Sequence, residues 1–180
     1  AYGSAAPALA AALNEPAPVV LRANTLIASR NEVLAEFKAL HIHARRSTLA
    51  AQGLVLSSEL RVSSLEMYRE GVIEAQDEAS QLVAELTAPA PGTLVVDACA
   101  GAGGKTLALG ARMNNKGVLV AVDRNAARLE EFMRRARRAG LSNHRTIQAD
   151  LSAQPWPKAL AAFKGKAARV LLDAPCTGTG

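Results

Sequence analysis

A glycine-rich segment near the middle of the chain constrains the fold most. It consists of Cys99, Ala100, Gly101, Ala102, Gly103, Gly104, Lys105 and Thr106, and it directly follows the apolar run of residues 93–97. The pattern predicts a short strand, a tight turn and then a helix, since glycine permits positive φ and close approach of the backbone to a ligand. The N-terminus of that helix offers unpaired N–H groups and a partial positive charge. Such a junction is typical of α/β sheets that bind a nucleotide-like or adenine-bearing cofactor.

Length and composition bound the remaining possibilities. The 180 residues are 49% hydrophobic, which fits one α/β domain with a small additional subdomain. The net charge of +5 makes a polyanionic partner plausible. Two cysteines form no disulfide framework, and the alanine-rich residues 5–13 are too short to span a bilayer, so we expect a cytoplasmic protein without a membrane partner. Since the chain lacks an initiator Met and stops within a predicted loop, we expect it to be part of a longer protein.

The order of patterns along the chain predicts two units. In residues 1–71, a weak helix at 5–13 precedes a strand at 19–23, a helix with a Ser29–Glu32 capping box, strands at 42–47 and 54–56, and a short helix capped by Ser63. This indicates a small α+β subdomain.

In residues 72–180, strands at 72–75, 93–97, 118–122 and 145–149 and a buried strand at 169–172 alternate with helices at 77–86, 106–113 and 125–139. We therefore predict an α/β fold with a Rossmann-like, doubly wound sheet.

Four of these predicted strands end in an aspartate: Asp97, Asp123, Asp150 and Asp173. Because ligands of open α/β sheets bind at the carboxyl edge, we expect the four carboxylates to line one crevice, although an aspartate after a strand also commonly caps the next helix. Asp123 is placed to accept ribose hydroxyls, and Asp150 to face the adenine amino group. Asp173 would meet the amino end of the cofactor or the substrate base, while Asp97 would brace the glycine loop.

Three cofactors compete for the loop. A phosphate-binding P-loop ends as Gly104, Lys105 and Thr106 do, but Cys99 stands where its first glycine is required. A dinucleotide fingerprint begins with residues 101–103, but its last glycine position holds Thr106. S-adenosylmethionine requires a tight loop, an acid after the second strand and a polar residue after the third. All three are present, so methyl transfer is favoured, with a nucleotide hydrolase as the enzyme alternative.

Three segments support a more specific interpretation: Gln76-Asp77-Glu78-Ala79-Ser80-Gln81, residues 97–106, and Asp173-Ala174-Pro175-Cys176-Thr177-Gly178-Thr179-Gly180. In combination they resemble the RsmB/Nop2/Sun family of RNA cytosine-C5 methyltransferases. The similarity extends from about residue 14 to residue 180, and Leu21-Arg22-Ala23-Asn24-Thr25 is similar to part of the family's small RNA-binding subdomain. The resemblance implies S-adenosylmethionine as cofactor and RNA, of the ribosomal class, as partner.

The resemblance also implies roles for individual residues. Cys99, Ala100, Gly101, Ala102, Gly103, Gly104 and Lys105 would wrap the methionine part of the cofactor, with Lys105 near its carboxylate. Asp123 would bind the ribose, Asp150 would lie on the adenine side, and Asp173 would lie between cofactor and base. The family usually reads Cys-Ala-Ala-Pro-Gly-Gly-Lys, whereas this chain has Gly101 and Ala102 in place of the second Ala and the Pro. The loop therefore loses a φ constraint, and we expect it to be more flexible without ligand.

Methylation of cytosine C5 requires a cysteine thiolate that adds to C6. The resemblance implies that this cysteine belongs to a Thr-Cys motif later in the chain. Neither Cys99 nor Cys176 follows a threonine. We therefore expect the nucleophile to lie beyond residue 180 and the chain alone to be inactive, with Cys176 assisting product release. Cys99 is expected to pack within the loop.

Basic residues offer candidate contacts to RNA phosphates. The helix at 125–139 carries Arg128, Arg134, Arg135, Arg137 and Arg138 away from its apolar stripe, and Arg45-Arg46 form a second group. A solvated charged face explains the helix equally well. A non-catalytic RNA-binding protein on a methyltransferase fold is therefore a further alternative. We expect no metal site, because His41 and His43 have no companion ligands at metal-binding spacing.

Overall fold

The first half of the chain forms a four-stranded antiparallel sheet. After helix α1 (Ala6–Leu13), the elements are β1 (Val20–Ala23), α2 (Arg30–Ala39), β2 (Ala44–Arg46), β3 (Gly53–Leu56), α3 (Glu66–Arg69) and β4 (Ile73–Ala75). The strand order is β2-β3-β1-β4, with antiparallel pairing at each step. This βαββαβ arrangement is the ferredoxin-like motif. The computed structural model describes residues 2–14, 17–57 and 60–174.

The two predicted helix starts in this half differ in outcome. The Ser29 hydroxyl accepts the Glu32 N–H, and the Glu32 carboxylate accepts the Ser29 N–H, so the predicted capping box is confirmed. The prediction for Ser63 is wrong. Ser63 lies inside a short 3-10 turn, Val62–Ser64, and α3 begins one turn later with Leu65 at its N-cap and no side-chain cap.

The second half forms a parallel sheet with helices between its strands. Its elements are α4 (Glu78–Thr87), β5 (Leu94–Asp97), α5 (Gly104–Arg112), β6 (Val118–Asp123), α6 (Ala126–Arg138), β7 (His144–Gln148), α7 (Lys158–Ala161) and β8 (Arg169–Leu171). The strand order is β7-β6-β5-β8. The predicted Rossmann-like fold is confirmed. The chain moves outward from β5 on one side through β6 and β7 and returns to its other side at β8, so the carboxyl end of β5 is a topological switch point.

Two details of this half differ from the sequence prediction. Helix α7 was not predicted, because four residues beginning after Pro157 carry no amphipathic period. The strand at 169–172 was predicted to be buried, whereas Val170 is 61% and Leu172 is 65% exposed. Strand β8 lies at the edge of the sheet in the part of the chain that the structure describes, and only Leu171, between Val170 and Leu172, points into a core. Apolar composition therefore identified the strand but not its surroundings.

Each sheet has its own apolar core. Leu21, Phe37, Leu54 and Ile73 are fully buried in the first, and one core of the second contains Val95, Leu109, Leu119, Phe132 and Met113. None of the described helices is long and apolar enough to cross a membrane.

Polar contacts join the two halves. The Asn24 amide donates to the carbonyls of Gly71 and Ala139, at 2.9 Å each, and so connects β1 to the end of α6. The predicted division after residue 71 assigns β4 to the second unit, whereas β4 pairs with β1 in the antiparallel sheet. The cause is that β4 lies next to α4 in sequence while its hydrogen-bonding partner lies about fifty residues earlier.

Candidate cofactor site

The glycine loop connects the end of β5 to the start of α5 and is held by both neighbouring strands. The Ala98 N–H donates to the Leu171 carbonyl at 2.8 Å, and the Ala100 N–H donates to the Val122 carbonyl at 2.9 Å. Gly101 and Gly103 have φ of +55° and +83°. The loop therefore makes its sharp turn at the two glycines, directly above the switch point of the sheet.

The two glycines face different surroundings. A Cβ built on Gly101 has no heavy atom within 4 Å, so this side of the loop is open. A Cβ built on Gly103 would lie 2.0 Å from Cδ2 of Phe132, whose ring is fully buried beneath the loop. Gly103 therefore sets how closely α6 packs under the loop, while Gly101 leaves space above it.

Replacing Gly103 with alanine is expected to destabilise the fold by about 2–4 kcal/mol, since overpacking costs about 1–3 kcal/mol and a left-handed φ adds about 1 kcal/mol. Gly101→Ala is the matched control, because it carries the φ cost of about 1 kcal/mol without the clash. Urea denaturation of both variants measures the difference. Equal losses of stability would contradict the role assigned to the Phe132 contact.

Two of the predicted carboxylates brace this loop. Asp123 accepts the Gly101 N–H at Oδ2 and the Asn125 N–H at Oδ1, both at 2.8 Å. Asp97 is buried and accepts the Thr106 hydroxyl at Oδ2, at 2.7 Å, while its Oδ1 has no hydrogen-bond partner among the described residues. Burial raises the pKa of Asp97 to about 6, although the hydrogen bond from Thr106 opposes the shift. Asp97 was expected to brace the loop by accepting its backbone N–H groups, but it contacts the loop segment through the Thr106 hydroxyl. Asp123 accepts the backbone N–H instead and ties the loop to the end of β6.

The third carboxylate pairs with the loop lysine. Lys105 Nζ lies 2.6 Å from Asp173 Oδ2 and 3.3 Å from the Ser80 hydroxyl, so it joins α5, α4 and the segment after β8. Asp97 and Asp173 both line a cleft of about 470 Å³ beside the loop. Its lining residues are Pro18, Val20, Ala75, Gln76, Asp77, Ser80, Asp97, Cys99, Ala100, Gly104, Lys105, Arg135 and Asp173. The antiparallel sheet thus supplies one wall of this cleft and the glycine loop the other.

Asp150 lies apart from these carboxylates. It is exposed and accepts the N–H and hydroxyl of Ser152, which lower its pKa. Asp150 lines a second groove, beyond the end of β6, together with Arg124, Gln148 and Pro157. The expectation of one crevice for all four aspartates is therefore wrong, because β7 is two strands away from β5 and its end opens into a separate groove.

The two cysteines have different status. Cys99 is partly buried, and desolvation together with Asp123, Asp97 and Asp173 raises the pKa of its thiol. A thiol in an acidic, desolvated position is a poor nucleophile. Cys176, predicted to assist product release, lies outside the described residues. In the described part of the chain, no group of three or more His, Cys, Asp or Glu side chains is arranged to hold a metal ion.

Two arginines predicted to face solvent or RNA have structural partners instead. Glu74 on β4 is fully buried and accepts from Arg135 at Oε2, at 2.9 Å, and from Arg138 at Oε1. Arg135 also donates to the Ala102 carbonyl of the glycine loop at 2.8 Å. Arg138 lies over the Tyr68 ring, 4.1 Å from its centroid. Glu74 was not among the site residues predicted from the sequence, although an acid within a short apolar strand indicates a buried, paired carboxylate.

Two protein-family models match this chain. A family model described as 16S rRNA methyltransferase RsmB/F matches residues 84–180, which include the loop, Asp123 and Asp173. The chain belongs to the RsmB/F methyltransferase family. A second model, for the ferredoxin-like domain of RsmF/B-like methyltransferases, matches residues 1–63. The RsmB/Nop2/Sun resemblance inferred from the motifs is confirmed.

Individual relatives agree with membership in the RsmB/F family. Ribosomal RNA small subunit methyltransferase B of Pseudomonas syringae is 39% identical over 96% of this chain and 38% of its own length. The human 28S rRNA (cytosine(4447)-C(5))-methyltransferase is 32% identical over 92% of this chain and 20% of its own length. The crystal structure of a methyltransferase homologue from Pyrococcus horikoshii has a TM-score of 0.89 and 29% identity, covering 99% of this chain and 57% of that one. The chain thus spans about two fifths or less of the length of these curated relatives.

Proposed function

We propose that this chain forms the cofactor-binding part of an enzyme that transfers a methyl group from S-adenosylmethionine to C5 of cytosine in RNA, of the ribosomal class. The observation that carries this proposal is the bond between Asp123 and the Gly101 N–H. This bond keeps the Asp123 carboxylate, which is suited to bind a ribose, next to the open turn at Gly101. Both lie at the switch point of a methyltransferase-type sheet. Membership in the RsmB/F family supports the choice of reaction. The comparisons do not favour a nucleotide hydrolase.

The residues present fit S-adenosylmethionine. The space above Gly101 admits a ligand against the backbone, and each Asp123 oxygen accepts one N–H, so a lone pair on each remains for ribose hydroxyls. The loop from Cys99 to Lys105 would surround the methionine part, and Asp150 in its separate groove would face the adenine side. When bound, this cofactor would supply an electrophilic methyl group.

The chain's own residues would prepare the target base. In the proposed reaction, a cysteine thiolate adds to C6 of cytosine, C5 then acts as the nucleophile, and loss of the C5 proton expels the thiolate. Cys99 is unsuited to that addition because partial burial, and then its acidic surroundings, raise the pKa of its thiol and disfavour the thiolate. Asp173, at the mouth of the cleft, would contact the base while Lys105 holds its carboxylate in place. The target base must leave its stack to reach this cleft.

The substrate RNA would be bound by charge on the antiparallel sheet. Arg45 and Arg46 are exposed on the edge strand β2, where phosphate contacts would supply affinity that falls with salt but carries little sequence preference. Arg135 and Arg138 are excluded from this role by their bonds to Glu74. We infer a cytoplasmic, reducing location from the proposed RNA substrate and the two cysteines.

The proposal predicts a cofactor preference. The protein that carries this sequence is expected to bind S-adenosylhomocysteine at micromolar concentrations in isothermal calorimetry, and to bind ATP with magnesium at least about 100-fold more weakly, a difference of about 2.7 kcal/mol. It is also expected to transfer tritium-labelled methyl groups to ribosomal RNA but not to duplex DNA. Tight ATP binding without S-adenosylhomocysteine binding would exclude methyl transfer. RNA binding without binding of either ligand would favour the non-catalytic alternative.

A further inference from the structure

A buried charge network joins the antiparallel sheet to α6. Glu74 receives hydrogen bonds from Arg135 and Arg138, and Arg22 on β1 donates to Gln76 at 2.7 Å nearby. Burial lowers the pKa of Arg22 to about 10, with attraction to Glu74 opposing the shift and repulsion from Arg135 adding to it. One fully buried carboxylate thus accepts hydrogen bonds from two guanidinium groups and attracts a third. Burying these charges costs free energy, which makes the arrangement a poor choice if its only purpose is to hold two units together.

One member of this network reaches the cofactor loop. Arg135 uses one terminal nitrogen for Glu74 and the other for the Ala102 carbonyl, at 2.9 and 2.8 Å. The rigid guanidinium fork fixes the angle between these two bonds. Among the side chains that the structure describes, Arg135 is the one that donates to a carbonyl of this loop. The loop is otherwise held at its N–H groups, by Asp123 at Gly101 and by the carbonyl of Val122 at Ala100.

Arg138 provides an internal comparison. It binds the same Glu74 carboxylate and has a similar exposure, 21% against 16% for Arg135, but its other contact is the Tyr68 ring on the antiparallel side. Both arginines link α6 to β4. Of the two, only Arg135 also donates to the loop, at the Ala102 carbonyl between Gly101 and Gly103. If the network were purely structural, replacing either arginine would leave the loop unchanged, whereas a connection to the loop predicts a change in the loop for Arg135 alone.

We propose that Arg135, oriented by Glu74, is a positioning residue for the cofactor loop. By holding the Ala102 carbonyl, it fixes the turn that presents the Gly101 N–H to Asp123 and keeps the surface above Gly101 open. The antiparallel sheet thereby contributes to cofactor binding through the contact between β4 and Arg135. This inference rests on the proposed function only in naming S-adenosylmethionine as the ligand; the restraint on the loop is a property of the ligand-free protein.

The test compares Arg135→Gln with Arg138→Gln in the protein that carries this sequence. Arg135→Gln is expected to raise the Kd for S-adenosylhomocysteine about tenfold, which corresponds to about 1.4 kcal/mol, and Arg138→Gln to change it less than twofold. In the ligand-free protein, hydrogen exchange of the amides at residues 100–104 is expected to be about tenfold faster in Arg135→Gln and unchanged in Arg138→Gln. Arg135→Lys is the second variant if Arg135→Gln fails to fold. It retains the charge for Glu74 but lacks the fork, so an approximately threefold rise in Kd is expected.

Three outcomes separate the possibilities. If both glutamine variants lower thermal stability equally and neither alters loop exchange or Kd, the network is structural only and this inference is wrong. If the wild-type protein binds S-adenosylhomocysteine and Arg135→Lys equals wild type in both loop exchange and Kd, the fork is not required and the inference is also wrong. If the wild-type protein does not bind S-adenosylhomocysteine, the proposed function fails, while faster loop exchange in Arg135→Gln alone still supports the positioning role.

Discussion

Replacing Asp123 with alanine is expected to weaken binding of S-adenosylhomocysteine by at least about 100-fold. The carboxylate accepts the Gly101 N–H and is the group proposed to accept the ribose hydroxyls, so the variant loses both the bracing of the loop and the contact with the ligand. Hydrogen bonds to charged groups contribute about 1.5–3 kcal/mol each, and two of them account for the predicted loss. Isothermal calorimetry on the protein that carries this sequence measures the effect.

Two further variants separate binding from stability in this experiment. Ser29→Ala removes the N-cap of α2 in the other sheet, at a cost of about 1 kcal/mol, and is expected to leave the Kd unchanged. Asp123→Asn keeps one oxygen for the Gly101 N–H but cannot accept both hydroxyls, so its Kd is expected to lie between those of wild type and Asp123→Ala. A Kd within threefold of wild type for Asp123→Ala would contradict the proposed function directly.

The glycine loop and the aspartates beside it were predictable because short sequence patterns specify them. Gly101 and Gly103 have positive φ, which glycine favours, so the glycines predict the turn. The acids follow the ends of strands, so they predict the carboxyl edge of the sheet. Strand β8 pairs with β5, which brings Asp173 to the same edge of the sheet as the loop lysine. The expectation of a looser loop without ligand stays untested. The structure adds the carbonyl contact from Arg135, which no local pattern indicates.

The remainder could not be predicted because it depends on contacts between distant parts of the chain. The arginine face of α6 has the periodicity of a solvated surface, and nothing near residue 135 indicates an acid 61 positions earlier. The acid within a short apolar strand marks Glu74 as unusual, but its partners become apparent only when β4 pairs with β1 and α6 supplies the arginines. Similarly, the apolar composition of β8 indicates a strand but not which of its faces another element covers.

Replacing Glu74 with glutamine is expected to lower the free energy of unfolding by about 3–5 kcal/mol, the cost of breaking a buried ion pair by removing one partner. The variant leaves Arg135 and Arg138 without their shared carboxylate and removes the attraction that Glu74 exerts on Arg22, which is almost fully buried. The loss therefore exceeds that of a single hydrogen bond. Urea denaturation of the protein that carries this sequence measures it.

Glu131→Gln is the matched control for this prediction, because Glu131 also pairs with an arginine, Arg134, but at the exposed surface of the same helix. Its effect is expected to be about 0.5 kcal/mol or less. Combining Glu74→Gln with Arg138→Gln should cost about 1 kcal/mol less than the sum of the single variants, since removing one guanidinium relieves repulsion that the first change created. If Glu74→Gln and Glu131→Gln have equal effects, the buried carboxylate does not hold the two sheets together, and the connection from β4 to the cofactor loop loses its anchor.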